Sequence, residues 1–155
     1  MDDLFLTGAN PLIHQCKREL AVEFEMKDLG LMHYFLGLEV WQRIGKIFLS
    51  QGKYIVKLLE RFGMVDCKSV STPMELNFKK LSGSAVGPIL ANPTEYCQLI
   101  GALMFLVNTR PDICFAVNTL SQQMVEPHHF HWVGARNILR YTTRSVTLLG
   151  YTDAD

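Results

Sequence analysis

The apolar positions of the chain come in short bursts separated by amphipathic stretches of helical period. Leu4-Phe5-Leu6-Thr7-Gly8 is apolar and brief, which predicts a strand, with Asp2-Asp3 at its start. Ala9-Asn10-Pro11 follows, where Asn10 can cap a helix and Pro11 fits its first turn. From Pro11 to about Met26 the residues Leu12, Ile13, Cys16, Leu20 and Phe24 recur at helical spacing, with Lys17, Arg18, Glu19 and Glu23 on other faces. The pattern predicts an amphipathic helix lying on something. Aromatic and branched residues then crowd the run from Met32 to Trp41, break at Arg43-Ile44-Gly45-Lys46 and resume as Ile47-Phe48-Leu49, which reads as a β-hairpin.

Ser50 is a plausible cap for the next helix, whose stripe is Tyr54, Ile55, Leu58, Leu59 and Phe62 and whose end is Gly63. Between Asp66 and Pro93 the periodicity fades, and Ser, Thr, Pro, Gly and Asn accumulate as in a linker or long surface loop. Asn92-Pro93-Thr94-Glu95 restarts a helix with the buried face Tyr96, Leu99, Ile100, Leu103 and Val107. Arg110-Pro111-Asp112 breaks it. A helix carrying Ile113, Val117 and Leu120 stops before Pro127, and another, from about His128 to Tyr141, carries Trp132, Ile138 and Leu139. Val146 to Asp155 closes the chain as a strand, and no internal repeat is visible.

Composition places this pattern in a folded protein, since 48% of the 155 residues are hydrophobic and only 19% charged. Fifteen basic residues balance fifteen acidic ones, so the chain lacks the overall positive field of a free-standing nucleic-acid binder and any such contact must be local. Cys16, Cys67, Cys97 and Cys114 are too widely separated for a zinc motif or a secreted disulfide framework, and read as reduced thiols, most of them buried. No apolar run approaches the roughly 20 residues of a membrane span, and the N-terminus opens on acid where a signal peptide needs positive charge. The expectation is a soluble chain, intracellular by default, with no membrane partner.

Candidate chemistry is sparse. Asp2-Asp3 could hold a divalent metal against substrate phosphates, as adjacent carboxylates do, although two acidic residues at a terminus are usually just solvated. Glu126-Pro127-His128-His129-Phe130-His131-Trp132 gathers three of the five histidines, but the pattern suits a polar helix entrance better than a zinc site. Lys53, Lys57, Arg61, Lys68, Lys79 and Lys80 could follow a nucleic-acid backbone or simply form a solvated helix face. Arg110 could pair with a carboxylate at a helix junction, where Asp112 suits the helix N-terminus, and both read as structural.

Met-Asp-Asp-Leu-Phe-Leu-Thr-Gly nevertheless resembles the Tyr-Val-Asp-Asp strand of copia-type reverse transcriptases, and the match continues in order along the chain. Phe24-Glu25-Met26-Lys27-Asp28-Leu29-Gly30 and His33-Tyr34-Phe35-Leu36-Gly37-Leu38-Glu39 are similar to the run into the family's primer-grip hairpin, with Leu36-Gly37 at its turn. Leu49-Ser50-Gln51-Gly52-Lys53-Tyr54, Cys67-Lys68-Ser69-Val70-Ser71-Thr72-Pro73-Met74, the run from Tyr96 to Leu106 and Thr109-Arg110-Pro111-Asp112-Ile113 extend it. Tyr151-Thr152-Asp153-Ala154-Asp155 resembles the opening strand of a tethered RNase H domain.

The resemblance implies an α/β (α+β) fold: a partial palm with its Asp-Asp strand and hairpin over residues 1–50, a thumb-like helix and following segment over 51–74, a linker or long loop over 75–92, a helical thumb and connection segment over 93–145, and the first RNase H strand over 146–155. It makes Asp2 and Asp3 the catalytic ligands of Mg²⁺, with Mn²⁺ an alternative, and Asp153 an RNase H ligand. Tyr34, Phe35, Leu36, Gly37, Lys53 and Lys57 become contacts to an RNA/DNA primer–template. Two departures stand out. Met1 replaces the motif's usual residue, and Thr142-Thr143-Arg144-Ser145 bridges the last helix and strand more directly than the family does. The third aspartate and the fingers of the family lie upstream of its Asp-Asp strand, so the expectation is a polymerase fragment incomplete in itself and prone to self-association. A non-enzymatic nucleic-acid or subunit interaction module, and a functionless product of a decayed element, stand as alternatives.

Overall fold

A computed structural model of the chain describes residues 4–75, 87–143 and 150–151. The chain divides into two compact units, Met1–Met32 and His33–Asp155.

In the first unit, helix α1 spans Asn10–Glu23. Its first bonds run to the carbonyl of Ala9, which accepts from Leu12 N–H at 3.0 Å and Ile13 N–H at 3.1 Å. Ala9, in extended geometry, is therefore the cap, and Asn10 lies inside the helix rather than ahead of it, with no side chain capping that end. The helix ends at an extended Phe24, short of Met26. None of its residues is buried. Beyond it, Asp28 accepts from Lys17 Nζ at 2.9 Å and from Gly30 N–H at 2.9 Å, and these bonds hold its carboxyl below its ordinary range. The strand expected at residues 4–8 is absent from residues 4–8: the segment takes no regular structure, and Leu4 and Phe5 are both more than half exposed. A strand exists only through its ladder partners, and a short apolar run does not supply them.

The second unit begins with the sheet. Strands β1 (Tyr34–Phe35), β2 (Leu38–Arg43), β3 (Lys46–Ser50) and β4 (Gly150–Tyr151) pair in that order, every pair antiparallel. Of the two fold names offered by the sequence, α+β is the one observed. The predicted hairpin is β2 with β3, in register from Glu39 opposite Ser50 to Arg43 opposite Lys46. A second, tighter hairpin precedes it, because Phe35 opposes Leu38 across Leu36-Gly37. Both turn residues have positive φ, 46° and 83°, as a type I′ turn requires. Leu36 pays for that geometry where a glycine or asparagine would not.

Helices α2 (Gly52–Arg61), α3 (Pro93–Leu106), α4 (Cys114–Ser121) and α5 (His129–Thr142) build the core. Gly63 (φ 61°) terminates α2 through paired bonds, Met64 N–H to Leu59 O and Gly63 N–H to Glu60 O, as its position predicted. Asn92 caps α3 by accepting from Glu95 N–H at 3.4 Å, with Pro93 in the first turn. Tyr96, Leu99, Ile100, Leu103 and Leu106 of α3 are completely covered, packed with Ile55, Leu58 and Leu59 of α2, Val117 and Leu120 of α4, and Ile138 and Leu139 of α5. Tyr96 satisfies its buried hydroxyl by donating to Leu120 O at 2.7 Å, and burial drives its pKa upward. The end of the predicted linker is not loose. Leu90 N–H donates to Pro127 O and His129 N–H to Pro88 O, so residues 88–90 are tied to the start of α5. The four cysteines are free thiols, but none is buried: Cys16 lies on a helix that buries none of its residues and is exposed, and the other three are half-buried. Most of the connection between α5 and β4, including Arg144-Ser145, lies outside the described residues.

Candidate nucleic-acid interface

The site grows from the short β1–β2 hairpin and the start of α2. Gly37 is held against α3, where a Cβ at that position would lie 3.1 Å from Phe105 Cζ. Tyr54 meets the same phenyl ring edge-on at 5.0 Å between centroids. Gln51 tightens the joint, donating through Nε2 to Phe105 O at 3.3 Å while its Oε1 accepts from Thr109 Oγ1 at 2.6 Å. The turn therefore stands on a packed support, with Leu36 three-quarters exposed beyond it and Phe35 half-buried behind it.

Glu39 joins the hairpin to the helix. Ser50, expected to cap α2, lies one residue ahead of the actual cap, Gln51, but still accepts from Gly52 N–H at 3.2 Å, and the buried Glu39 carboxylate accepts the next donor, Lys53 N–H, also at 3.2 Å. A negative charge is favoured there by the exposed N–H groups and the dipole of the helix. Gly52 admits this approach, because its Cβ would sit 3.2 Å from Glu39 Oε2. The other carboxylate oxygen lies 3.7 Å from Lys53 Nζ, which stands 6.0 Å from the ring centroid of Tyr34. Lys53 keeps 75% of its side-chain surface in solvent, and Tyr34 is 57% exposed.

Of the residues singled out in the sequence, the structure thus gathers Tyr34, Leu36, Gly37 and Lys53 around one turn. Lys57 is exposed one helical turn further along α2. Asp2, Asp3 and Asp153 lie outside the described residues. Among the described residues no three His, Cys, Asp or Glu side chains are grouped to hold a metal ion. The supporting residues Glu39, Gln51, Phe105 and Thr109 stand within the family-like strings, but their role in the site escaped the sequence reading. Only Glu39, a charge at a strand position among apolar neighbours, left a local signal.

The histidine-rich segment opens α5, as its pattern suggested. His131 is buried and its Nδ1 accepts from His128 N–H at 3.0 Å, while His128 Nδ1 bonds with Gly87 O at 2.9 Å. Burial, helped by His128, lowers the His131 pKa. Arg110 grips Asp112 with two parallel bonds of 2.9 and 2.8 Å and lies 5.4 Å from the Tyr141 ring centroid. The pairing raises the arginine's pKa and lowers the aspartate's, as expected of a bidentate bridge.

Comparison with known proteins places this geometry in context. The family model for reverse transcriptase (RNA-dependent DNA polymerase) matches residues 1–76. An uncharacterized mitochondrial protein of Arabidopsis thaliana is 40% identical over 147 residues, covering 94% of this chain and 60% of that protein. The retrovirus-related Pol polyprotein from transposon RE1 of Arabidopsis thaliana is 39% identical over 168 residues, all of this chain and 11% of the polyprotein. The corresponding polyprotein from transposon TNT 1-94 of Nicotiana tabacum is 37% identical over 177 residues, all of this chain and 13% of that protein. Both polyprotein alignments run longer than 155 residues, so these relatives carry residues that this chain lacks. No solved structure matches the chain.

Proposed function

The chain belongs to the reverse transcriptases of copia-type retrotransposons, of whose Pol polyproteins it spans about a tenth, and on that footing we propose that its β1–β2 turn and the adjoining face of α2 hold a primer–template duplex. The observation that carries this reading is the supported turn itself. Leu36 and Gly37 adopt positive φ, Gly37 is braced on Phe105, and Tyr34 and Lys53 stand exposed together beside it. A rigid backbone projection flanked by an aromatic ring and a solvated ammonium suits a ribose-phosphate backbone, which needs charge, reach and shape but no base readout. Phe35 supports the turn from behind, and Lys57 continues the positive edge along α2.

In this reading the chain is a palm-and-thumb stretch of the polymerase. Asp2 and Asp3 are hard oxygen ligands of the kind that suit Mg²⁺ or Mn²⁺, and they would hold the catalytic metal in the assembled enzyme. Bound there, the metal supplies charge neutralisation for the attacking 3′ oxygen and the leaving pyrophosphate. A further carboxylate is needed to hold two such ions, and no motif matched within this chain provides it. Asp153 is assigned by the same resemblance to RNase H chemistry.

The test is binding of a labelled RNA–DNA hybrid to the chain by fluorescence anisotropy across a salt series. Replacing Lys53 by Gln is expected to weaken binding and to reduce the slope of log K against log salt by about one. Unchanged affinity and slope in a folded K53Q variant would sink the interface. Incubation with primed template, nucleotides and Mg²⁺ is expected to yield no extension from this chain alone; extension that disappears on Asp2→Asn would contradict that part of the reading.

A further inference from the structure

Residues 87–90 lie against the start of α5 along a short backbone seam. Ile89 pairs antiparallel with His128, so that Leu90 N–H donates to Pro127 O at 2.8 Å and His129 N–H to Pro88 O at 3.0 Å. Two imidazoles close the seam. His128 Nδ1 lies 2.9 Å from Gly87 O, and His131 Nδ1 accepts from His128 N–H at 3.0 Å. The ring centroids are 5.8 Å apart, His131 buried and His128 half-buried.

These partners fix where each ring carries its proton. A carbonyl oxygen only accepts, so His128 holds its hydrogen on Nδ1. A backbone N–H only donates, so His131 Nδ1 is bare and that ring is the neutral Nε2–H tautomer. A further proton therefore acts oppositely on the two rings. On His128 it goes to Nε2 and leaves the bond to Gly87 O in place, strengthened by the charge. On His131 it can go only to Nδ1, where it points at His128 N–H, donor against donor.

We propose that His128 and His131 form a proton-operated clasp, closed while His131 is neutral and opened when it takes up a proton, which releases residues 87–90 from α5. The clasp does not depend on the nucleic-acid interface. Opening exposes the His131 ring to water, where an imidazolium is better solvated, so protonation and opening favour each other. Burial, and then the neighbouring His128, lower the His131 pKa, which keeps the clasp closed at neutral pH and sets its opening on the acid side of the ordinary imidazole range.

The surroundings leave His131 as the sensing group. Residues 87–90 bring no titratable side chain. Of the elements packed on α5, α2 and α4 bury only apolar residues, and α3 brings Tyr96 and the half-buried Cys97. Both are engaged, Tyr96 donating to Leu120 O and Cys97 Sγ lying 3.6 Å from Met124 O. Glu126 and His129, beside the seam in sequence, are exposed. Among the described residues the charge that acts on His131 is that of His128.

The experiment is a pH titration of the isotope-labelled chain followed by NMR. At neutral pH the ring signals are expected to show the Nε2–H tautomer for His131 and the Nδ1–H tautomer for His128. On acidification the amide signals of Leu90, His128 and His129 are expected to shift along the titration curve of the His131 ring, while those of α3, such as Leu103, hold their native positions. His131→Asn keeps an acceptor near the place of Nδ1 but cannot titrate. In that variant, shown to be folded by circular dichroism, the same amide signals are expected to stay fixed over the same pH range. The opposite tautomers would overturn the proposal, as would clasp amides that stay put while His131 titrates or that follow the His128 ring instead. So would a shift that persists in folded H131N, or clasp and α3 signals lost together, which is global unfolding. If H131N does not fold, the ring and amide titrations of the unaltered chain decide the matter by themselves.

Discussion

Helices α1 and α3 are both 14 residues long and both carry proline in the first turn, yet one buries six residues and the other none. The sequence marks both with apolar positions at helical spacing. The difference lies in what surrounds the stripe. In α3 the apolar residues spread over most of the circumference, from Tyr96 to Leu106, and three other helices enclose them. In α1, Leu12 is 65% exposed and Val22 85%, and charged residues fill the remaining faces. Period establishes that a helix has a potential buried face; only a partner surface makes it a core.

The largest effect expected from this contrast is at Leu103. It is wholly buried among α2, α4 and α5, so Leu103→Ala removes methyl groups from a site that neighbouring helices cannot easily collapse into. A loss of about 3 kcal/mol is expected in urea unfolding. A cost below about 1 kcal/mol would mean that the helical core is loosely packed and that α3 differs from α1 in exposure alone.

Next comes Gly37, where the sheet is braced on α3. Ala at a φ of 83° is strained, and its Cβ would meet Phe105 at 3.1 Å. Gly37→Ala is expected to destabilise the chain by about 1–2 kcal/mol and to weaken hybrid binding with it. Gly45 offers the control: it has a φ of 68° but nothing within 4 Å, so Gly45→Ala carries the backbone strain without the clash. Equal costs at the two positions would show that the brace on Phe105 contributes nothing.

His131 sharpens the comparison from inside the helical core. Its folded pKa is lowered from the ordinary 6.5 by burial and by His128, so below that pH the unfolded chain takes up a proton more readily than the folded one. Stability is therefore full above about pH 6.5 and falls as the pH drops from 6.5 through the lowered folded value. The Asp112 carboxylate, lowered from 3.8 by Arg110, adds its own loss only at more acidic pH. Replacing His131 by Ala is expected to cost about 1 kcal/mol at neutral pH through the lost helix cap and to flatten the fall in stability just below pH 6.5. An unchanged slope there would assign the titration to another group.

How much of this was legible in the sequence follows the same division. Local chemistry read correctly at the Asn92-Pro93 start of α3 and the Gly63 stop of α2, but it misplaced the cap of α1 at Asn10, and the Leu36-Gly37 turn came from the family resemblance rather than from local pattern. It read less well where the outcome depended on a distant neighbour. Residues 4–8 are apolar enough for a strand and find no ladder in the described structure. Glu39 and Gln51 fix the site through bonds to residues 14 and 54–58 positions away, which no periodicity reveals. The Asp2-Asp3 pair identified the family by its place in an ordered string of motifs, a kind of information that packing does not carry.

The smallest effect tests the other half of the contrast. Val22 is 85% exposed near the end of α1, so Val22→Ala removes almost no buried surface and replaces a β-branched residue with the best helix former. The two contributions oppose each other, and the net change is expected to lie within about 0.5 kcal/mol, with a slight gain in helicity by circular dichroism. Leu12→Ala, at 65% exposure, is expected to behave likewise. If Leu12→Ala instead cost more than about 1 kcal/mol, the stripe on α1 would be covered in solution, and the distinction between the two helices would lie in where their partners come from rather than in whether they have them.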